Sequence, residues 1–273
     1  MRARFPLFRL ALHRRRRMLA FLAAGMVLFE VLMVAVVRAV PPEQLFSGAG
    51  RGVPDTLRAF SGSTGDVSIA SYAGLLGAAL VHPFWIAMQL TAIGSLAAAA
   101  VAADVEAGTV ELLMVRPVSR TRLLAERAGA VVAASILLNA AATLTLTAGV
   151  ALSPAVHRAV PLDGVLAAGL QGCAFTLCLT GPALAVSAAA RRRAPVIGAT
   201  IALGAVGFAA NFVAMAWHPA AALRYLSPFH YYTPGDALAH GTLGWGQSAV
   251  LAAVGVAGVC AALPLLRRRD LAP

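Results

Sequence analysis

Lysine is absent from this 273-residue chain: all 22 basic residues are arginine, set against eleven acidic residues for a formal net charge of +11. A phosphate loop of the form GxxxxGK followed by Ser or Thr needs its lysine to reach the terminal phosphates. No such loop exists here, so any ATP hydrolysis has to come from another chain. Charge of either sign is scarce at 12% of residues, about half of what a soluble domain carries. Cysteine is limited to Cys173, Cys178 and Cys260, all inside apolar runs, where a thiol behaves as a small hydrophobe. Cys173 and Cys178 are five apart and do not share a helical face, so no disulfide is expected. The six histidines do not cluster and no His-Glu-x-x-His pair occurs, which leaves a zinc protease unsupported. No catalytic, metal-ligating or cofactor-binding residue is assigned.

What is present is apolar. Hydrophobic residues make up 60% of the chain, and the mean hydropathy is +0.80. The apolar runs are continuous rather than alternating, which points to membrane-spanning helices and away from a barrel. They are built from Ala, Val, Leu and Gly, small residues that let helices approach closely in lipid. Six spans are expected, at about 18–37, 75–103, 128–152, 165–190, 195–217 and 245–266. Residues 1–17 carry seven arginines interleaved with Phe5, Leu7, Phe8, Leu10 and Leu12, the pattern of an amphipathic helix on the membrane surface. A signal peptide competes for this region, but the apolar run is long for a signal core and Glu30 interrupts it. Residues 53–60 form a candidate short helix in the loop that follows, and His82-Pro83 marks a kink or boundary near the start of the second span.

Orientation follows from the arginines. With the N-terminus inside, 17 of the 22 fall on cytoplasmic edges, leaving Arg38, Arg51, Arg58, Arg158 and Arg224 outside. Both termini are then cytoplasmic and 18–273 forms one six-helix transmembrane domain in the plasma (cell inner) membrane. The same placement argues against nucleic acid as the partner of the positive charge, since the arginines sit in short clusters between spans.

The polar island between the second and third spans carries the most information. It holds Asp104, Glu106, Gly108, Thr109, Glu111, Arg116, Pro117, Ser119 and Arg120. A helix from Thr109 to about Val115 would stop at Pro117, with Leu112, Leu113 and Val115 on an apolar side and Glu111 and Arg116 solvated. Ser119 is placed to cap the next helix. An ordinary charged loop is the plain alternative; a helix docked on a cytoplasmic partner is the functional one. Here the chain resembles the membrane subunits of ATP-binding-cassette (ABC) exporters, the type-2 permease family. Those proteins carry an acidic residue, Gly-Thr, an apolar-acidic stretch and Pro-x-Ser-Arg at the end of their second span, although Asp104 stands where Glu is more usual. The stretch from Tyr225 to Asp236 and the ending from Leu265 to Leu271 are also similar to the family's, so the resemblance covers nearly the whole chain.

The resemblance implies an all-α permease subunit of an exporter. It implies two copies of a separate ATPase subunit, which bind ATP and Mg, and a second permease, identical or related. The island becomes the coupling helix that contacts the ATPase, with Asp104, Glu106, Gly108, Thr109, Glu111, Leu112, Leu113, Val115, Arg116, Pro117 and Arg120 as its residues. Apolar inner faces favour a hydrophobic or amphipathic cargo.

Glu30 is the one acid well inside a span. An ionisable group in hydrocarbon costs several kcal/mol, so it is expected to face protein or a cavity. Helix-to-helix hydrogen bonding is its plain role; cargo contact or protonation is the functional one. Trp217, Tyr225, Tyr231, Tyr232 and Trp245 read as an aromatic belt at one interface, and His230 beside Tyr231 is a candidate vestibule residue. A secondary transporter or channel driven by an ion gradient is the rival function; it would show more intramembrane charge or broken helices in repeated halves. An intramembrane enzyme lacks a nucleophile-base pair.

Overall fold

The computed structural model describes residues 5–45, 62–63, 67–109 and 119–268, and every regular element among them is helical. In chain order these are α1 (Pro6–Ala39), α2 (Pro42–Leu45), α3 (Tyr72–Leu80), α4 (Pro83–Ala100), α5 (Ala102–Glu106), α6 (Arg120–Ala151), α7 (Pro154–Ala159), α8 (Leu162–Ala189), α9 (Arg193–Ala216), a 3-10 segment (His218–Leu226), α10 (Pro228–Tyr231), α11 (Pro234–His240) and α12 (Trp245–Arg267). Counting α3 and α4 together, six helices are long and apolar enough to cross a membrane. The chain therefore has the make-up of a multi-pass membrane protein. The six expected spans coincide with these helices, and their ends agree to within three residues except at the starts of the first and third.

The reason lies in which residues stop a helix. From Leu7 to Ala24 the chain has neither Gly nor Pro, so the hydrogen-bond ladder runs through the four consecutive arginines. The result is one helix of 34 residues, about 51 Å at 1.5 Å per residue, with no boundary at residue 17. Charge marks where lipid ends; it does not end a helix. The third span likewise starts earlier than expected, at Arg120, with Ser119 Oγ accepting the Arg122 amide at 3.2 Å as the cap. The second span is divided. Pro83 disfavours the helical conformation for His82, which sits at φ −60°, ψ 138° and accepts the Phe84 amide on Nδ1 at 3.2 Å. The short helix expected at 53–60 lies outside the described residues.

Helix α8 is the hub, packing against α12, α6, α4, α11 and α9, while α1 lies along α6 and α4. The tightest approach is between α8 and α12. A Cβ at Gly181 would collide with the backbone of Gly255, one at Gly255 with Leu177, and one at Gly258 with Gly181 and Pro182. Hydrocarbon gives helices no reason to associate through apolar burial alone, so this backbone-to-backbone packing is what holds α12. Hydroxyls within the spans are satisfied locally: Thr143, Thr145 and Thr147 each donate to the carbonyl four residues back, at 2.7–2.8 Å. Asn139 crosses from α6 to α8, donating to Thr176 Oγ1 at 3.3 Å and to its own helix at Ser135 O.

Gly255→Val is therefore expected to destabilise the detergent-solubilised protein by about 1–3 kcal/mol or more, seen as a lower thermal midpoint. Gly246→Ala, in the same helix but with nothing near the added carbon, should leave the midpoint unchanged or slightly raised. Equal effects of the two would show that α12 is not held by close approach.

Candidate functional site

The arginine-rich ends of α1, α6, α9 and α12 and the end of α4 meet at one end of the bundle. Their meeting is built from a break in the second span. After Ala100 the backbone leaves helical geometry at Val101 (φ −144°, ψ −54°) and resumes as the short α5. The Ala102 amide donates to Ser187 Oγ of α8 at 3.3 Å. The last carbonyls of α4 need donors, and Arg127 of α6 supplies them: its Nη1 donates to Ala100 O at 2.7 Å and Ala99 O at 3.4 Å. The same guanidinium pairs with the Asp104 carboxylate. Arg127 is only 9% exposed, so this link between second and third spans is largely shielded from water.

The chain then reverses. Gly108 takes a positive φ of 65°, its amide donates to Val105 O at 3.1 Å, and the Thr109 amide reaches Asp104 O at 2.9 Å. That pair of bonds is a Schellman closure, which puts glycine at the left-handed position. Thr109 Oγ1 adds a second bond to Asp104 O at 3.3 Å. On the solvent side, Glu106 Oε2 accepts both the backbone amide and the Nε of Arg193 at 3.0 Å, tying α5 to the start of α9. Those two bonds from Arg193 hold its carboxyl below the usual range despite some opposing desolvation.

The far side of the island is anchored equally well. Arg120 Nη1 donates to Leu266 O and Arg267 O at 3.2 Å, and Arg267 Nη2 returns a bond to Thr121 Oγ1 at 3.2 Å, so α6 is clamped to the end of α12. Glu126 accepts the Leu7 amide at 2.8 Å, the Phe8 amide at 3.3 Å and Arg122 Nε at 2.8 Å. The first exposed amides of α1 are thereby satisfied by a carboxylate on α6.

Of the residues expected at the coupling segment, Asp104, Glu106, Gly108, Thr109 and Arg120 lie in this frame. Glu111, Leu112, Leu113, Val115, Arg116 and Pro117 lie outside the described residues. Four partners were not anticipated as site residues: Ser187, Glu126, Arg127 and Arg193. The available signal was the acid-base pair Glu126-Arg127 at the start of a long apolar run, where burial demands a partner.

At the opposite end, the segment from His218 to His240 is wedged into the bundle. Gln171 of α8 accepts the Thr233 amide at 3.0 Å and donates to Thr233 Oγ1 at 3.1 Å. Ser227 Oγ donates to Gly207 O at 2.7 Å. Tyr232 stacks on Phe175 with ring centroids 4.5 Å apart and on Trp85 at 6.1 Å. Tyr232 is thus a buried core residue and not part of an interfacial belt, whereas Trp217, Tyr225 and Trp245 are exposed as a belt requires. His230 packs edge-on against Tyr225 and Tyr231 and lines a small cavity of about 90 Å³ with Tyr232 and Thr233. Burial, and then the nearby Arg224, lower its pKa. Glu30 is fully buried, and neither carboxyl oxygen has a hydrogen-bond partner among the described residues; Trp85 Nε1 and both amide atoms of Gln89 share that condition. The expected helix-to-helix bond from Glu30 is not seen among them.

Arg127→Ala should lower the thermal midpoint more than Asp104→Asn, because it removes the carbonyl cap as well as the ion pair. The Arg127 loss is expected at about 1.5–3 kcal/mol. Adding Asp104→Asn to Arg127→Ala should cost little more. Strictly additive losses would show that the two side chains act separately.

No family model matches this chain and no curated protein matches it, which leaves the residues themselves as the ground for assigning a role.

Proposed function

We propose that this chain is the membrane-spanning permease subunit of an ABC exporter of the type-2 kind. Its N- and C-termini are cytoplasmic, and a separate ATPase supplies the energy. The observation that carries this is the double anchoring of the polar island. On one side Asp104, Glu106 and the Gly108-Thr109 closure tie it to the ends of α4, α6 and α9. On the other, Ser119 and Arg120 tie it to α6 and α12. A force applied to residues 110–118 therefore reaches four spans through short polar links rather than dissipating in a slack loop. A plain connection between two helices needs no such frame.

On this reading residues 109–115 are the coupling helix. Two ATPase subunits holding ATP and Mg dock against it, and a second permease copy or a related chain completes the pathway. The absence of lysine fits a chain that delegates nucleotide chemistry. The cargo would be hydrophobic or amphipathic, in keeping with an apolar interior. An ion-gradient transporter would have no use for the anchored island.

The test is copurification of the ATPase with variants at matched membrane expression. Leu112→Asp or Leu113→Asp is expected to weaken association by about 1–2 kcal/mol or more and to abolish transport, as removal of a buried anchor does. Arg116→Glu should act more mildly, since rim charges contribute little. If both leucine variants keep the partner and full transport, the island is only a loop. Orientation is tested separately, in a background without the native cysteines. A cysteine at Ser63 should react with an impermeant reagent in intact cells, and one at Arg192 should not; the reverse labelling would overturn the assigned topology.

A further inference from the structure

A cleft of about 300 Å³ opens at the arginine-rich end between α1, α4, α6 and the start of α9. Its walls come from single helix faces. Leu7, Leu10, Ala11 and Arg14 of α1 recur at helical spacing, with Arg15 beside them, and Leu96 and Ala99 of α4 and Val131 of α6 line the other side. The walls are thus apolar and the polar side chains are mostly arginine: Arg14, Arg15, Arg127 and Arg193, against Asp104 and Thr109. Arg127 is committed to Asp104, and Arg193 to Glu106. Arg14 and Arg15 have no carboxylate partner among the described residues, so the cleft keeps two uncompensated positive charges.

Depth identifies what can balance them. Arg14 and Arg15 precede Met18, where the apolar run of α1 begins, by four and three residues. At 1.5 Å per residue that is about 5 Å along the helix, the level at which lipid phosphates lie against the hydrocarbon core. Arginine presents a planar fork that matches phosphate oxygens in pairs, and here two forks stand on adjacent residues. Basic pockets between spans at a membrane surface accept anionic headgroups for these reasons. A soluble anion would gain from the charge but would leave the apolar walls uncovered, whereas the glycerol and upper acyl carbons of a lipid cover them.

We propose that this cleft is a binding site for an anionic phospholipid of the adjoining leaflet, its phosphate held by Arg14 and Arg15 and its upper chain against Leu10, Leu96 and Val131. The site stands whether or not the chain partners an ATPase, because its residues and ligand belong to this chain and its membrane.

The experiment uses the full-length protein, purified in mild detergent, stripped of lipid and titrated with phosphatidylglycerol while bound lipid is counted by native mass spectrometry. One saturable site is expected. Arg14→Gln with Arg15→Gln should weaken it about tenfold or more, the scale of lost charge-assisted bonds. Arg16→Gln with Arg17→Gln removes equal charge outside the cleft and should change it less than about twofold. Ala99→Leu, which narrows the cleft without altering charge, should also weaken it, and matched elution profiles in size-exclusion chromatography exclude misfolding as the cause. Equal losses from the two arginine pairs, or no saturable site, would overturn the proposal. Inorganic phosphate is the second arm: only weak competition is expected. Phosphate that binds as tightly as the lipid would reassign the cleft to a soluble anion.

Discussion

The guanidinium of Arg127 is the contact on which the arginine-rich end depends. A helix that stops inside a bundle leaves carbonyls without donors, and a break at Val101 stops α4 there. Water is largely excluded from that point, since Ala100 is 1% exposed, so the donor has to be a side chain. Arg127 brings a single nitrogen, Nη1, to two successive carbonyls and a carboxylate at once. Given that closure, α5 can turn away from α4, Gly108 can reverse the chain, and the island can begin at a defined place.

The spans were legible in the sequence because a bilayer demands long apolar runs that stand out in any window. Most of their ends were too, but the starts of the first and third were not, because charge marks the lipid boundary while hydrogen bonding decides the helix boundary. Arg14 to Arg17 illustrate the difference: they leave the hydrocarbon but remain helical. The Ser119 cap was readable, since a small hydroxyl before a helical run has a local cause. Half of the site was readable for the same reason, as Asp104, Glu106, Gly108, Thr109 and Arg120 form a polar island in an apolar chain. Their partners were not. Asp104 meets Arg127 across 23 residues, Glu106 meets Arg193 across 87, and Glu126 meets Leu7 across 119. Nothing local in one sequence encodes which distant charge closes which pair.

Tyr232 shows a second way in which local pattern misleads. A run of aromatic residues beside prolines and glycines is what an interface belt looks like, and Trp217, Tyr225 and Trp245 behave that way. Tyr232 instead turns inward, because Gln171 grips the neighbouring Thr233 through both its amide groups and Phe175 offers a ring to stack on. A single buried glutamine therefore converts a surface loop into a plug between α8 and the Trp85 face of α4. Side-chain amides of this kind are legible as unusual in an apolar span, but their partner is visible only once the helices are assembled.

Helix α1 connects the two ends. Among the described residues its hydrogen bonds to other spans are those that Leu7 and Phe8 donate to Glu126. The rest of its contact with α4 and α6 is packing, including Phe29 against His82 and Phe84. Packing without hydrogen bonds resists separation but opposes small sliding motions weakly, and Glu30, whose carboxyl oxygens have no hydrogen-bond partner among the described residues, gives up no bond to them in such a shift. Glu126 lies on α6 only six residues after Arg120, within the frame that anchors the island. On the proposed function, displacement of the coupling segment would move Glu126 first and α1 with it. Glu30 lies on the same continuous helix, so a displacement of α1 at the arginine-rich end would also reach the middle of the bundle.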